Sequence, residues 1–108
     1  MNFAERLKTL PPVGHLAALQ LLDANGQTQA TIENKPGQAG SLVVYHALAQ
    51  QHGGVITPAA AALGLQWYAE HTADAQANPG KHPNIDRLQQ WAAGTATYLV
   101  RPVKATAG

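Results

Sequence analysis

Two loops and one helical turn hold the residues of this sequence whose types and spacing could do chemistry. The first loop, Asn34-Lys35-Pro36-Gly37-Gln38-Ala39-Gly40-Ser41, leads from an extended stretch into a helix start. The second, Pro79-Gly80-Lys81-His82-Pro83-Asn84, leads into another. A helix N-terminus presents free N–H groups and partial positive charge, and a nearby lysine adds to that field. Both loops therefore suit an anionic or phosphorylated ligand, with Lys35, Gly37, Gly40, Ser41, Lys81 and His82 as the residues expected to hold it. The first loop is not a P-loop, because the order Gly-Lys-Ser/Thr is missing. A purely structural account competes with the ligand: glycine and proline make turns, Ser41 and Asn84 cap, and the lysines keep the loops solvated.

The helical turn is Glu70-His71-Thr72-Ala73-Asp74, with His82 on the following loop. Glu70 and Asp74 stack at i,i+4, and His71 lies three residues from Asp74. Converging oxygen and imidazole donors are what a metal ion needs, so Glu70, His71, Asp74 and His82 form the candidate metal set. A His–Asp pair can also poise an imidazole as a general base. Two histidines at i,i+4 flanking a glutamate, the zincin pattern, do not occur. The plain alternative is a wet helix face with one hydrogen-bonded pair. Serine catalysis has little support, because a nucleophile elbow needs glycine two residues to each side of Ser41, the only serine. His46 and His52 lie six apart, off a common face, and read as surface or boundary histidines. Trp67, Tyr68 and Trp91 read as core or interface anchors. No catalytic residue is assigned, and no cofactor is expected.

The elements that must position these groups can be read locally. Phe3, Leu7 and Leu10 give one side of a short helix over about residues 2–10, which Pro11-Pro12 stops. Asn25-Gly26 lies between two strand-like runs, about 16–23 and 28–34, and suggests a two-residue type I′ hairpin turn. Counting outward pairs Leu21 with Ala30 and Leu19 with Ile32 on an apolar face. Leu22–Gln29, Gln20–Thr31 and Ala18–Glu33 fall on a mostly polar one. Ser41 should cap a helix over about 41–52 that Gly53-Gly54 ends, and Thr57-Pro58 should open another over about 58–77. Gly64 inside that helix costs about 1 kcal/mol against alanine, which marks either a close backbone approach or a weak point. Asn84 should cap a helix over about 84–93, and residues of about 95–101 have strand composition, with Pro102 ending that strand or confining it to an edge. The fold expected is α+β: a small antiparallel sheet covered by three or four helices, in two layers, with a frayed tail over 105–108.

Bulk properties narrow the partners. A chain of 108 residues fits a single domain. Charged residues make up 12%, about half the usual share near 25%, so self-repulsion is weak and a homo-oligomer is expected. The net charge is +1 with no Lys/Arg cluster, against nucleic-acid binding. The N-terminus lacks the apolar region of a signal peptide, and no apolar run approaches the ~18 residues that span a bilayer, so no membrane partner is expected. With no cysteine present, the location expected is cytoplasmic.

Ile32-Glu33-Asn34-Lys35-Pro36-Gly37, Glu70-His71-Thr72-Ala73-Asp74-Ala75 and Pro79-Gly80-Lys81-His82-Pro83-Asn84-Ile85-Asp86 together resemble a family of short uncharacterised bacterial proteins classed as a domain of unknown function. The likeness covers nearly the whole chain. It implies a stand-alone bacterial protein and carries over no catalytic residues. The leading expectation is a small non-enzymatic binding or interaction domain with an anionic ligand at the 35–41 loop. The alternative is a metal-binding protein or enzyme using Glu70, His71, Asp74 and His82. Convergence of both loops and the 70–74 turn on one pocket would favour chemistry there; scatter would remove it.

Overall fold

The computed structural model describes residues 1–106. In chain order the elements are α1 (Phe3–Thr9), β1 (Leu16–Leu22), β2 (Thr28–Glu33), α2 (Ala39–Gln51), β3 (Val55–Ile56), α3 (Pro58–Tyr68), α4 (Glu70–Ala77), α5 (Pro83–Ala93) and β4 (Tyr98–Lys104). The four strands form one antiparallel sheet in the order β2-β1-β4-β3. The fold is thus α+β, as the sequence led us to expect. Helix α2 packs against all four strands, and α3 packs against both α2 and α5.

The hairpin keeps the expected register over most of its length: Ala18 faces Glu33, Leu19 Ile32, Gln20 Thr31 and Leu21 Ala30. Leu19, Leu21 and Ile32 are buried beneath the helices, joined by Val100 from β4. Near the turn the expectation fails. Leu22 pairs with Thr28 rather than Gln29, because the register shifts after Leu21. The turn is a three-residue loop rather than type I′: Gly26 has φ +81°, while Asn25 has no positive φ. Asp23 explains the change, since its carboxylate accepts N–H groups from Asn25 (2.9 Å) and Gln27 (3.0 Å) and the Gln29 amide (2.7 Å). That local network favours a turn closed by the Gly26 N–H on the Asp23 carbonyl, with glycine as the single left-handed residue. Ala18 and Leu22, on the face expected to be polar, are also buried, because β1 is a central strand with neighbours on both sides.

Three other boundaries depart from local reading. The helix expected over 58–77 breaks into α3 and α4 at Ala69, whose φ of 51° is the one positive value among described non-glycine residues. The Ala69 N–H turns to the Gln66 carbonyl, and the Thr72 hydroxyl donates to the Leu65 carbonyl at 2.6 Å in its place. The last strand covers 98–104 rather than 95–101 and runs through Pro102. Proline is accommodated because Val100 donates its N–H away from β1, to Gly54. Pro102, two residues on, turns its missing donor to the same side, where β3 has already ended. Strand β3, two residues long, was not foreseen. Past β4, Ala105 donates to the His15 carbonyl at 3.0 Å; of the tail expected to fray, residues 107–108 lie outside the described residues.

Gly64 marks a close approach. A Cβ there would lie 2.8 Å from both Leu48 Cδ1 of α2 and Leu88 Cδ1 of α5. The absent side chain lets α3 fit between the two helices that carry the candidate site. Among the described residues, no helix is long and apolar enough to cross a membrane.

Candidate functional site

Both loops singled out in the sequence open on one cleft of about 350 Å³. Gly37, Gly40 and Ser41 reach it from the start of α2, and Lys81, His82 and Asn84 from the start of α5. Phe3, Tyr68 and His71 complete its walls. Lys35 is not part of it: its ammonium pairs with Glu33 at 2.7 Å on the surface. The other residues proposed for an anion therefore converge, although 40 positions separate Ser41 from Lys81.

Neither helix starts as expected. Helix α2 begins at Ala39, two residues before Ser41, and α5 at Pro83, so Ser41 and Asn84 lie inside their first turns rather than capping them. The residues at the cap positions, Gln38 and His82, make no side-chain cap bond. Gln38 accepts the Glu33 N–H at 3.0 Å instead. Asn84 accepts from Arg87 Nη1 at 2.8 Å, and its carbonyl receives the Tyr45 hydroxyl. Burial pushes that phenol up to about 12, so Tyr45 stays a donor and anchors the start of α5. As a result the N–H groups of Gly40, Ser41 and Asn84 have no hydrogen-bond acceptor among the described residues.

Ser41 adds a donor of its own. Its Oγ accepts the Tyr68 hydroxyl at 2.7 Å, which leaves the serine proton to point elsewhere. Burial drives the Tyr68 phenol far above its usual range, so this O–H does not ionise and cannot act as a base on Ser41. Ser41 is thus a hydrogen-bond donor at the cleft wall, in keeping with its poor prospects as a nucleophile.

The Glu70–Asp74 turn splits. Asp74 accepts from His82 Nε2 at 2.6 Å and from Lys81 Nζ at 3.0 Å. The hydrogen bond from His82, followed by that from Lys81, holds its carboxyl down at about 2. Asp74 does not line the cleft; it stands behind His82. His71 does line it, with its ring centroid 5.9 Å from that of His82 and the Phe3 ring edge-on at 5.1 Å. Glu70 turns away to accept the Phe3 N–H at 2.9 Å, the main cause of its lowered pKa. Among the described residues, no group of three or more His, Asp or Glu side chains is placed to hold a metal ion.

A family model described as an uncharacterized protein conserved in bacteria (DUF2322) matches residues 3–102. The chain belongs to this family. No curated protein and no solved structure matches it. The family span runs from Phe3 in the cleft wall to Pro102 in β4 and takes in every residue of the cleft.

Local reading missed two walls. Phe3 arrives on α1, which opens with a reciprocal capping box between Asn2 and Glu5. That Asn-x-x-Glu spacing is visible in the sequence and could have located the helix start. Phe3 stacks on Tyr68 at 5.1 Å, a contact no local signal announces. Elsewhere, His46 is buried rather than at the surface, with its ring 5.9 Å from that of His15 and its Nδ1 without a partner. Desolvation, then the neighbouring His15, lowers its pKa.

Proposed function

We propose that the protein binds a small molecule in this cleft through an anionic group, a phosphate monoester being the best match. One observation carries the reading: the residues at two helix starts whose N–H groups have no acceptor among the described residues, Gly40, Ser41 and Asn84, all line the same cleft, and no carboxylate lines it. Gly40, Ser41 and Asn84 offer backbone donors, Ser41 adds its hydroxyl and Lys81 adds a charge. A phosphate has several strong acceptor oxygens and draws further stabilisation from helix N-termini, whereas a neutral ligand would leave these donors poorly used. The volume lies within the range of small-molecule sites, about 300–1,000 Å³. Phe3 and the two imidazoles supply flat surfaces for the rest of the ligand. A cytoplasmic location goes with this reading and is supported by the cysteine-free composition.

Titration with inorganic phosphate, followed by amide chemical shifts, tests the proposal. Saturable shifts at Gly40, Ser41 and Asn84, absent with chloride at equal ionic strength, are the expected result. Unmoved amides at those three positions would overturn it.

A further inference from the structure

The anion site contains one side chain arranged for more than binding. His82 stands at the start of α5, next to Lys81, and is partly exposed to the cleft. Its Nε2 faces the Asp74 carboxylate at 2.6 Å. Since Asp74 holds a negative charge and can only accept, Nε2 carries the proton, and the lone pair of the neutral ring is on Nδ1. Among the described residues Nδ1 has no hydrogen-bond partner. A side-chain acceptor behind the ring, an unengaged nitrogen and free N–H donors from two helices around the same space are the parts needed for phosphoryl transfer to nitrogen.

We propose that His82 is a phosphoryl acceptor, charged through Nδ1 by an acyl phosphate. The inference rests on the cleft being an anion site. In the step, the Nδ1 lone pair forms a bond to phosphorus and the bond from phosphorus to the acyl oxygen breaks. The carboxylate leaves with that electron pair. No proton has to move: the ring becomes an N-phosphoimidazolium, and its Nε2–H stays on Asp74, whose charge balances the new cation. The transferred group keeps its negative oxygens among the N–H groups of Gly40, Ser41 and Asn84, with Lys81 alongside. Asp74 is a positioning residue here, since it acts only through the imidazole. Among the described residues His71 has no such carboxylate partner, which separates the two cleft histidines.

The full chain is incubated with acetyl phosphate, and intact mass, peptide mapping and phosphorus NMR are followed with time. Expected is a single phosphoryl group on Nδ1 of His82, labile in acid and stable in base. The chain carries its own control in exposed His15, which should label at least about tenfold more slowly because it lacks donors aimed at the transferred group. His82→Gln, with folding confirmed by its amide spectrum, should not form the adduct. Asp74→Asn should slow labelling at least about tenfold by releasing the tautomer, while phosphate still shifts the Gly40 and Ser41 amides; a merely structural role would move both together. No adduct, an acid-stable adduct, labelling on Lys81 or His71, or equal labelling of His15 and His82 would overturn the proposal. Phosphate shifts at Gly40, Ser41 and Asn84 that persist in such a failure would leave the binding reading standing, whereas their absence would remove both.

Discussion

Helices α1 and α3 begin on a side chain that accepts one of their free N–H groups, whereas α2, α4 and α5 begin without such a cap. Asn2 takes the Glu5 N–H at 2.8 Å and Thr57 takes the Ala60 N–H at 3.1 Å. Gln38 and His82, at the same positions on α2 and α5, are engaged elsewhere, and Ala69 at the start of α4 has no polar side chain to offer. The first turns of the three uncapped helices all reach one cleft, through Gly40 and Ser41, His71, and Asn84, whereas α1 contributes only the Phe3 side of a start that is already capped. A side-chain cap adds about 1 kcal/mol to a helix, so the lack of one on α2 and α5 is a stability cost placed where a ligand's oxygens could supply the missing acceptors. Polar satisfaction is thus uneven across the fold. At the helix starts, side chains supply the acceptor on α1 and α3, and the N–H groups of Gly40, Ser41 and Asn84 at the cleft are left without one among the described residues.

The largest expected effect comes from breaking the contact that holds α2 and α5 in place together. Gly64→Val would drive a branched side chain into Leu48 and Leu88, and should cost about 3 kcal/mol or more in denaturant unfolding. Phosphate shifts at both helix starts should weaken with it, and retained shifts would show that the cleft does not depend on this packing. Thr57→Ala removes a cap remote from the cleft and should cost about 1 kcal/mol of stability with phosphate affinity unchanged. Lys81→Met should do the reverse, lowering phosphate affinity by about fivefold while the unfolding midpoint stays nearly constant, because the pair it loses is exposed. Equal effects of these two variants on both measurements would erase the distinction between capped and uncapped starts.

The smallest effects are pH-dependent. Burial lowers the folded-state pKa of His46, so the unfolded chain binds the proton more readily. Stability should therefore be full above the ordinary value near 6.5 and decline as pH falls below it. His46→Leu should remove that part of the slope in melting temperature measured between about pH 7 and 5. The Asp74 pKa is lowered as well, from 3.8 to about 2, so its effect has the same sign but lies at more acid pH. Its contribution is present above the unfolded value and is lost as pH falls from about 4 to about 2. Asp74→Asn should flatten the curve only in that acid window.

How much could be read in advance differed between the sheet and the site. Ala30 and Ile32 alternate with polar residues opposite Leu21 and Leu19, and a period of two admits only one register that buries them all. The slip at Leu22 escaped because Asp23 competes for the turn through its carboxylate, an effect that a dipeptide rule for Asn-Gly does not contain. Ala69 shows the same limit. Alanine has no local reason to break a helix, and the break is held by the Thr72 hydroxyl and by Glu70 on the Phe3 N–H. At the site, Gly37, Gly40, Ser41, Lys81 and His82 were recognisable as helix-start residues. Lys35 carried the same local signal yet went to Glu33, since a long exposed side chain pairs with the nearest opposite charge.

By itself the sequence determined the elements whose evidence is local. These are the hairpin and most of its register, the proline-marked start of α3, the Gly53-Gly54 end of α2 and the chemistry available in two loops. Tertiary structure alone decided that the two loops meet, that Phe3 and Tyr68 wall the cleft, and that Asp74 serves His82 while Glu70 does not. The reason is physical: alternation, caps and turns act over a few residues and leave their mark in composition, whereas convergence depends on how helices pack. Here that packing turns on a glycine between two leucines, and no spacing along the chain records it.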